Sequence, residues 1–589
     1  MSRLRAVLAG WATVLLLAGC GGLSLGGEVQ PGLEVGSGKA PEIGFLPAGP
    51  VAGASQEGIV RGFLRAGAAS DGAYENAREF LTSGASEAWN PDETIVLLAA
   101  DSSTTARLLD PATVQVTARA AGTINASGRL TAAAPGATVS ATFSLTSVGG
   151  QWRVDGMPRG FGRWIADQDV PRLVQPFAVH YVSASHRATV PDVRWFPLDR
   201  LATRLARAQL DPVPDHLLGA ATTAVPAGAR LLGDAVSVDV NGVVSVNLIS
   251  SRLAPGQATR QNLWAQFLTT LTQDPTVTAL ELAIDGVPVD LDGVDGPVSS
   301  LDRVGFPAEQ PVTSSTRPVV RRGSALAVFA PTASLQGQNR QAGTTPSYPA
   351  VPAEYTHLAL SADGGELAAV DPSGDGVSRW RGTTRYEVPG FGADVGSPAY
   401  DRRGFLWVGG VGNDRADRLW VVDTRADPAD ASAAAARPLE ASWLDGRVVL
   451  EARVAADGDR VVVLSTRADG SGVSLDLAGV VRGAGQRPER LSAPMHLGTG
   501  FTSAMALTWL DDRQVATVAA VGRAPARPVV VGVDGAVTPL PEAPGARLLA
   551  TTGGERNLYV VTSAGRLLAR SGVRWVDSGP ASDLATAAG

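Results

Sequence analysis

The single cysteine of this chain, Cys20, limits how the fold can be stabilised. With no second cysteine among the 589 residues, the chain can form no internal disulfide, and a zinc site built on cysteines is excluded. Stability must therefore come from buried apolar residues. The composition allows this, because 44% of the residues are hydrophobic, 18% are charged and the chain is long enough for several cores.

The residues before Cys20 form a secretory signal of the bacterial lipoprotein type. Arg3 and Arg5 give a positive amino-terminal region, residues 6–18 form an apolar run, and the sequence Leu-Ala-Gly-Cys places Gly19 directly before the cysteine. As a helix the run would span roughly 20 Å, whereas the hydrocarbon core of a bilayer is about 30 Å thick. The run is therefore too short for a comfortable transmembrane helix.

From this motif we predict cleavage between Gly19 and Cys20, which removes residues 1–19. Cys20 then carries a diacylglycerol on its thiol and a further acyl chain on its new amino group. Because each buried methylene contributes about 0.8 kcal/mol, two or three chains hold the protein on the plasma membrane almost permanently. The alternative is an ordinary signal peptide with an incidental cysteine. Residues 20–50 are rich in Gly and Pro and are predicted to be a flexible tether.

Charge and hydropathy restrict the partners and the location of the chain. The formal net charge is −7 and no basic run occurs, which argues against nucleic-acid binding. No apolar run after Cys20 approaches membrane-spanning length. We therefore expect a protein that is lipid-anchored to the cell membrane and exposed on its extracytoplasmic face.

Residues 51–167 predict a small α+β domain. Helical spacing of apolar residues marks 56–69, alternation marks a strand at 139–145, and Gly149-Gly150 forms the turn into a strand at 152–154. Two helices followed by an antiparallel sheet resemble the NTF2-like fold, which often carries a pocket. Since no catalytic set accompanies the pattern, we expect its tryptophans to pack in a core rather than to line a catalytic pocket. They are Trp89, Trp152 and Trp164.

Residues 174–306 predict a second α+β unit. Asn241-Gly242, between alternating valines, is the strongest hairpin signal in the chain. A helix is expected over 259–272, and Asp285-Gly286 forms a further turn between apolar strands. The order of an aromatic-rich strand, a helix, this hairpin, the second helix and the Asp-Gly turn resembles the GerMN domain of spore-germination and sporulation proteins. The resemblance implies a binding module of extracytoplasmic proteins.

Residues 317–589 change to short strands and glycine-rich turns. Five such turns recur at intervals of roughly 40 to 55 residues, which is typical of β-propeller blades. They lie at 361–364, 401–404, 456–459, 511–513 and 553–555. Five or more blades are therefore expected, with residues 324–329 as a strand that closes the ring. A pair of β-sandwiches is the alternative.

The five histidines give little support for a metal site. They are His180, His186, His216, His357 and His496. His180 and His186 would share a face of one continuous strand, which leaves a zinc pair open, but no acidic third ligand follows at helical spacing. The favoured interpretation is a pair of surface or half-buried histidines.

The acidic stretch of Asp290, Asp292 and Asp295 resembles a calcium loop only superficially. It lacks the terminal glutamate of an EF-hand, so a solvated turn is the favoured interpretation. The aspartates of the blade turns are expected to bond their own backbone. No complete catalytic or phosphate-binding motif occurs in the chain. We therefore predict no catalytic residue, no cofactor, no metal and no enzymatic activity.

Together these parts resemble the actinobacterial LpqB lipoproteins, which combine a lipid-attachment motif, an NTF2-like region, a GerMN domain and a propeller-like region. The fold class implied is a multidomain chain of two α+β domains followed by an all-β propeller. The resemblance also implies an accessory role. LpqB proteins act with the MtrA–MtrB two-component system, contact the outer part of the sensor histidine kinase MtrB and influence cell-wall homeostasis and division.

Two other classes of function remain as alternatives to a kinase modulator. The first is an envelope lipoprotein that binds cell-wall glycan or another small ligand. The second is a propeller hydrolase, which is disfavoured because neither converging carboxylates nor a nucleophile set is visible in the sequence.

Overall fold

The computed structural model describes most of the chain after residue 47. The described ranges are 48–69, 74–134, 136–185, 188–251, 256–306, 317–329, 348–388, 391–413, 415–498 and 500–587. They lie within one compact unit.

In the described ranges, the first domain consists of three helices and one sheet. The helices are α1 (Gln56–Ala68), α2 (Glu75–Arg78) and α3 (Ser83–Ala88). The strands are β1 (Thr94–Leu98), β2 (Thr105–Asp110), β3 (Thr113–Asn125), β4 (Leu130–Ala132), β5 (Thr138–Val148), β6 (Gln151–Gly156) and β7 (Arg163–Ile165). The sheet order is β6-β5-β3-β1-β7, with β2 and β4 also paired to β3. Helix α1 packs on this sheet, so the expected order of helices followed by a sheet is confirmed.

The aromatic core of this domain bears out the packing role predicted for its tryptophans. Trp89 and Trp164 are buried, Trp152 is partly buried, and all three join the same apolar cluster. Trp89 Nε1 donates to Gly162 O at 2.8 Å, so the one hydrogen-bond donor of the indole ring has a partner. Its ring also contacts Phe63 of α1 edge-on, with centroids 5.0 Å apart. These contacts fix the helix against the strands.

The second domain begins after the short helix α4 (Val170–Leu173) and contains two sheets. Its helices are α5 (Leu201–Ala208) and α6 (Gln257–Leu271). Its strands are β8 (Val174–Ser183), β9 (Thr189–Pro197), β10 (Ala221–Thr222), β11 (Arg230–Leu231), β12 (Ser237–Val238), β13 (Val243–Ile249), β14 (Ala279–Ile284) and β15 (Val287–Pro288). The sheet orders are β10-β8-β9 and β11-β13-β14-β15, with β12 paired to β13. Helix α6 connects the parallel strands β13 and β14 and packs against both sheets.

The hairpin at Asn241-Gly242 forms, but its strands are shorter than the valine pattern suggests. Strand β12 ends at Val238, and Val240 is fully exposed instead of continuing the alternation. The Asp239 carboxylate accepts hydrogen bonds from the backbone N–H of Asn241 and of Val243, both at 2.8 Å. This side-chain turn replaces the last strand pair and leaves Val240 at the tip.

Among the described residues, seven sheets follow the second domain: a series of six, and one of only two short strands. One sheet of the series combines the first two strands of this region with its last strand. These are β16 (Val319–Arg322), β17 (Ala325–Val328) and β41 (Asp583–Ala585). Of the other five, the first contains β18 (Thr356–Leu360), β19 (Glu366–Val370), β20 (Val377–Arg381) and β21 (Thr384–Val388). The second contains β23 (Ala399–Tyr400), β24 (Phe405–Gly409), β26 (Leu419–Asp423) and β27 (Arg437–Pro438). Between them β22 (Gly392–Ala393) pairs with β25 (Val411–Gly412).

The other three sheets of the series repeat the same strand order. The third contains β28 (Arg447–Val454), β29 (Arg460–Arg467), β30 (Ser474–Arg482), β31 (Pro488–Leu491) and the added β32 (Met495–Leu497). The fourth contains β33 (Phe501–Trp509), β34 (Gln514–Val521), β35 (Arg527–Gly532) and β36 (Val537–Pro539). The fifth contains β37 (Ala546–Thr551), β38 (Leu558–Thr562), β39 (Arg566–Ser571) and β40 (Arg574–Pro580).

These sheets close into a ring, here called the propeller. Strands β18, β23, β28, β33, β37 and β41 contact one another in that order, and β41 contacts β18 again. Each of the five predicted turns joins the first and second strands of one sheet. The propeller prediction is therefore confirmed over the β-sandwich alternative, and the described strands form six blades.

The sixth blade combines the two ends of the propeller sequence. Its order is β17-β16-β41, with Val320 of β16 opposite Leu584 of β41. Strand β17 lies within the predicted closing segment, 324–329, but β16 makes the pairing that closes the ring. The strand that closes the ring, β16, therefore lies a few residues before the segment 324–329 in which we expected it.

Candidate functional site

The predicted lipid-attachment residues, Gly19 and Cys20, lie outside the described residues, as do the signal peptide and nearly all of the tether. Among the described residues, no helix is both long and apolar enough to cross a membrane.

The structure does not support the interpretation of His180 as a surface or half-buried residue. Its side chain lies inside the second domain on β8 and is 6% exposed, while His186 falls outside the described residues. Burial, together with the positive charges of Arg513 and Arg460, lowers the pKa of His180 to about 3. The described part of the chain contains no group of three His, Cys, Asp or Glu side chains that could hold a metal ion.

The acidic stretch after β15 lies on the surface, as expected for a solvated turn. The side chains of Asp290, Asp292 and Asp295 are exposed, and the backbone O of Asp295 accepts a hydrogen bond from Arg303 at 3.0 Å. Within the described ranges these carboxylates do not form a metal site.

A buried ion cluster lies where the first domain, the second domain and the propeller meet. Its centre is Asp192 on β9, which is 1% exposed. Arg129, from the turn between β3 and β4, donates to Asp192 Oδ2 at 2.6 Å, and Arg194 donates to the same oxygen at 2.8 Å. His216 Nε2 lies 3.4 Å from Asp192 Oδ1. Arg129 Nη1 also lies 3.7 Å from Met495 Sδ on β32, so this one side chain contacts all three parts.

Electrostatics explain how these charges tolerate burial. Burial raises the pKa of Asp192, but the contact with His216 and the charges of Arg129 and Arg194 hold it well below its usual range. Arg194 also donates to Asp211 at 2.5 Å. Burial lowers the pKa of His216, which keeps the imidazole neutral. Two carboxylates therefore balance two guanidinium groups, and the cluster carries no net charge.

The second domain is also fixed directly to the propeller. Hydrogen bonds cross the contact from Arg403 to Ser185 Oγ (2.6 Å), from Ser492 Oγ to His216 O (2.7 Å) and from Arg513 to Gln273 Oε1 (3.0 Å). Ala178 of β8 and Val193 of β9 belong to an apolar cluster whose other members are in the propeller. At Gly479 of β30 a Cβ atom would lie 2.7 Å from Ala220 Cβ, so only glycine permits this approach.

Sequence reasoning missed this cluster, although one signal for it was present. Strand β9 is almost entirely buried, yet it carries Asp192 and Arg194 two residues apart. Two opposite charges on one face of an otherwise apolar strand indicate a buried ion pair. Their third partner, Arg129, could not be found from spacing.

A cleft of about 400 Å³ opens in the second domain beside β14. Its apolar lining includes Leu282, Leu291, Val294 and Val298, and its polar lining includes Glu281. The lining also contains Ser245, Asn247, Trp264 and Asp290, and among the described residues it contains no basic side chain.

Hydrogen bonds hold the segment that forms the far side of this cleft. Val298 exchanges two backbone hydrogen bonds with Leu280, at 2.8 and 2.9 Å. Val289 N donates to Leu282 O at 2.9 Å, and Trp264 Nε1 donates to Val289 O at 2.7 Å. Hydrogen bonds within the chain therefore hold both sides of the cleft in place.

Family models match three successive parts of the chain. Residues 49–171 match the model described as "Lipoprotein LpqB, N-terminal domain". Residues 178–290 match "Sporulation and spore germination", and residues 335–584 match "Lipoprotein LpqB beta-propeller domain". None of these descriptions names an enzyme.

Relatives of similar length carry the same family name. Lipoprotein LpqB of Thermobifida fusca is 27% identical over 91% of this chain and 90% of its own length. Lipoprotein LpqB of Streptomyces coelicolor is 25% identical over 95% of this chain and 94% of its own length. Among solved structures, the tandem GerMN domains of GerM from Bacillus subtilis cover 22% of this chain and 45% of that chain, at 15% identity and a TM-score of 0.16. That score is too low to carry an argument.

Proposed function

Since this chain belongs to the LpqB lipoprotein family, we propose that it is a membrane-anchored extracytoplasmic accessory protein that binds the outer part of a sensor histidine kinase. The kinase is of the MtrA–MtrB type, and binding modulates its output and so cell-wall homeostasis and division. In this proposal Cys20 carries the lipid, residues 20–50 are the tether, and residues 51–167, 174–306 and 317–589 are the exported domains.

The observation that carries this proposal is the contact of Arg129 with both Asp192 and Met495. This one side chain joins the first domain to the second domain and to the propeller. A body whose domains are already fixed pays little ordering entropy when a partner binds, so more of the contact energy contributes to affinity. Such a body is suited to recognition of a protein surface.

Anchoring would strengthen a weak interaction of this kind. Confinement of both partners to one membrane raises their effective concentration, so an interface of modest affinity suffices. A partner that binds one kinase conformation more tightly than another shifts the kinase toward that conformation. The protein therefore needs no chemical reaction of its own to alter signalling.

The test begins with crosslinking in intact membranes, followed by mass spectrometry of the captured kinase. The gene is then deleted and complemented with the wild-type chain, with Cys20→Ala or with Arg129→Met. We expect deletion to change kinase-regulated transcripts, the wild-type chain to restore them and Cys20→Ala to restore them poorly. Arg129→Met separates the role of the fixed domain arrangement from the role of the anchor.

Two results together would overturn the proposal. They are unchanged transcripts after deletion and no association of the purified full chain with the outer domain of the kinase. In that case the envelope-ligand alternative takes its place.

A further inference from the structure

We propose that the cleft beside β14 binds a lysine or arginine side chain presented by a peptide segment of the partner protein. This inference rests on the proposed function in one respect: the side chain that occupies the cleft belongs to the partner protein. The chemistry of the occupant follows from the lining of the cleft itself.

The charge of the lining selects a cation. Glu281 and Asp290 both line the cleft, and no basic residue does so in the described part of the chain. Ser245 Oγ donates to Glu281 Oε2 at 3.2 Å, and Oε1 accepts no hydrogen bond among the described residues. Asp290 likewise has no side-chain hydrogen bond within the described ranges. Two carboxylates with free acceptor capacity disfavour an anion and favour an ammonium or guanidinium group.

The apolar side of the lining selects the stem that carries this cation. Leu282, Leu291 and Val298 are almost fully buried, and Val294 is partly exposed at the cleft. Lysine and arginine side chains bury an aliphatic stem along an apolar surface and keep the charged group at a polar end. A volume of about 400 Å³ is within the usual range for a small-ligand pocket and accommodates one such side chain with part of its backbone.

The cleft needs little rearrangement to accept this side chain. Arg303 donates to Pro297 O and to Asp295 O, both at 3.0 Å, and so holds the 295–297 segment in place. Trp264 holds the other end through Val289 O. Because the guanidinium of Arg303 is bonded to backbone carbonyls, it does not neutralise Glu281 through a direct ion pair.

The first experiment measures peptide binding to the purified full chain in detergent by isothermal titration calorimetry. The probes are capped tetrapeptides that place lysine, norleucine or glutamate after leucine, and glucosamine serves as a non-peptide amine. We expect the lysine peptide to bind most tightly and its affinity to fall at high salt. Equal affinity for the three peptides, or binding of glucosamine in place of the lysine peptide, would overturn the proposal.

Substitutions then place the binding in the cleft. Glu281→Gln removes one charge and should weaken lysine-peptide binding by about two- to fivefold, the range expected for one exposed charge pair. Val294→Trp should block the cleft and abolish binding. The control is Asp292→Asn, which also removes one negative charge but lies in the 288–298 segment, outside the cleft lining. Equal losses in Asp292→Asn and Glu281→Gln would show that only the overall charge matters.

The same variants separate this inference from the proposed function. If the wild-type chain binds the kinase and Val294→Trp binds it equally well, the cleft is not the contact and only this inference fails. If the wild-type chain binds the lysine peptide but not the kinase, the peptide site stands and the proposed partner is wrong. Thermal midpoints of each variant identify any that fails to fold.

Discussion

Acidification should weaken the fold through His180 in particular. This side chain is buried on β8, and Arg513 and Arg460 of the propeller lie close enough to oppose its protonation. The backbone of Ala178 and the carboxylate of Asp192 favour protonation, but burial and the two arginines dominate and lower the pKa to about 3. The folded protein therefore keeps His180 neutral at pH values where the unfolded chain protonates it.

The sign and size of the effect follow from this difference in pKa. Well above pH 6.5, the ordinary pKa of histidine, the imidazole is neutral in both states and contributes no pH dependence. As the pH falls below 6.5 the unfolded chain gains a proton that the folded chain does not, so the free energy of unfolding decreases until about pH 3. Between pH 7 and pH 5 linkage gives a loss of about 2 kcal/mol from this one group. His216, whose pKa is also lowered, acts in the same direction.

The assay is urea unfolding of the full chain at pH 7 and at pH 5, followed by tryptophan fluorescence. His180→Phe and His180→Asn remove the titrating group, and each should lose about 2 kcal/mol less than the wild type between the two pH values. Comparing losses rather than stabilities cancels the cost of the substitution itself. His496→Asn, at a half-exposed side chain, is the control. If the wild type and both His180 variants lose the same free energy, the reasoning from burial is wrong.

Further predictions concern the anchor, covalent structure, ring closure and ion cluster. Cys20→Ala should abolish labelling by an alkyne fatty acid in cells, and equal labelling of both proteins would contradict lipid attachment there. Reductant should leave the thermal midpoint of the full chain unchanged, since a large decrease would require a disulfide that one cysteine cannot form. Leu584→Asp buries a charge in the closing blade, and limited proteolysis should show the propeller cut much faster than in Val573→Asp, which lies at an exposed site. Arg129→Met should lower the free energy of unfolding by about 1–3 kcal/mol, because Arg194 still pairs with Asp192, and no change in urea unfolding would argue against a structural role for Arg129.

Local patterns in the sequence predicted the elements that depend on local chemistry. The Gly149-Gly150 and Asp285-Gly286 turns need positive φ angles, which these residues adopt, and both hairpins form as expected. The turns of the blades follow from the same chemistry. Where a side chain overrides the pattern, as Asp239 does beside Val240, the prediction of the strand end was wrong.

Long-range contacts account for what the sequence could not show. The ion cluster joins Arg129, Asp192 and His216 from three separate segments, and no spacing rule relates them. His180 follows the alternation of a strand, but its burial depends on the propeller packing against that strand. The cleft beside β14 likewise depends on the path of the 288–298 segment after it leaves the sheet, and no residue pattern predicts that path.

The pairing of Val320 with Leu584 also sets an order of events during synthesis. Strand β16 emerges before any of the five blades that follow it, whereas β41 emerges after all of them, so the sixth blade remains without its inner strand until β41 has been made. During that interval Val319 and Val320 lack the β41 residues opposite them, Ala585 and Leu584, and strand edges on both sides of the gap are open to other chains. The first and second domains are complete by then and can fold. We therefore expect the propeller to be the part of this protein that is most prone to aggregate while it is being made.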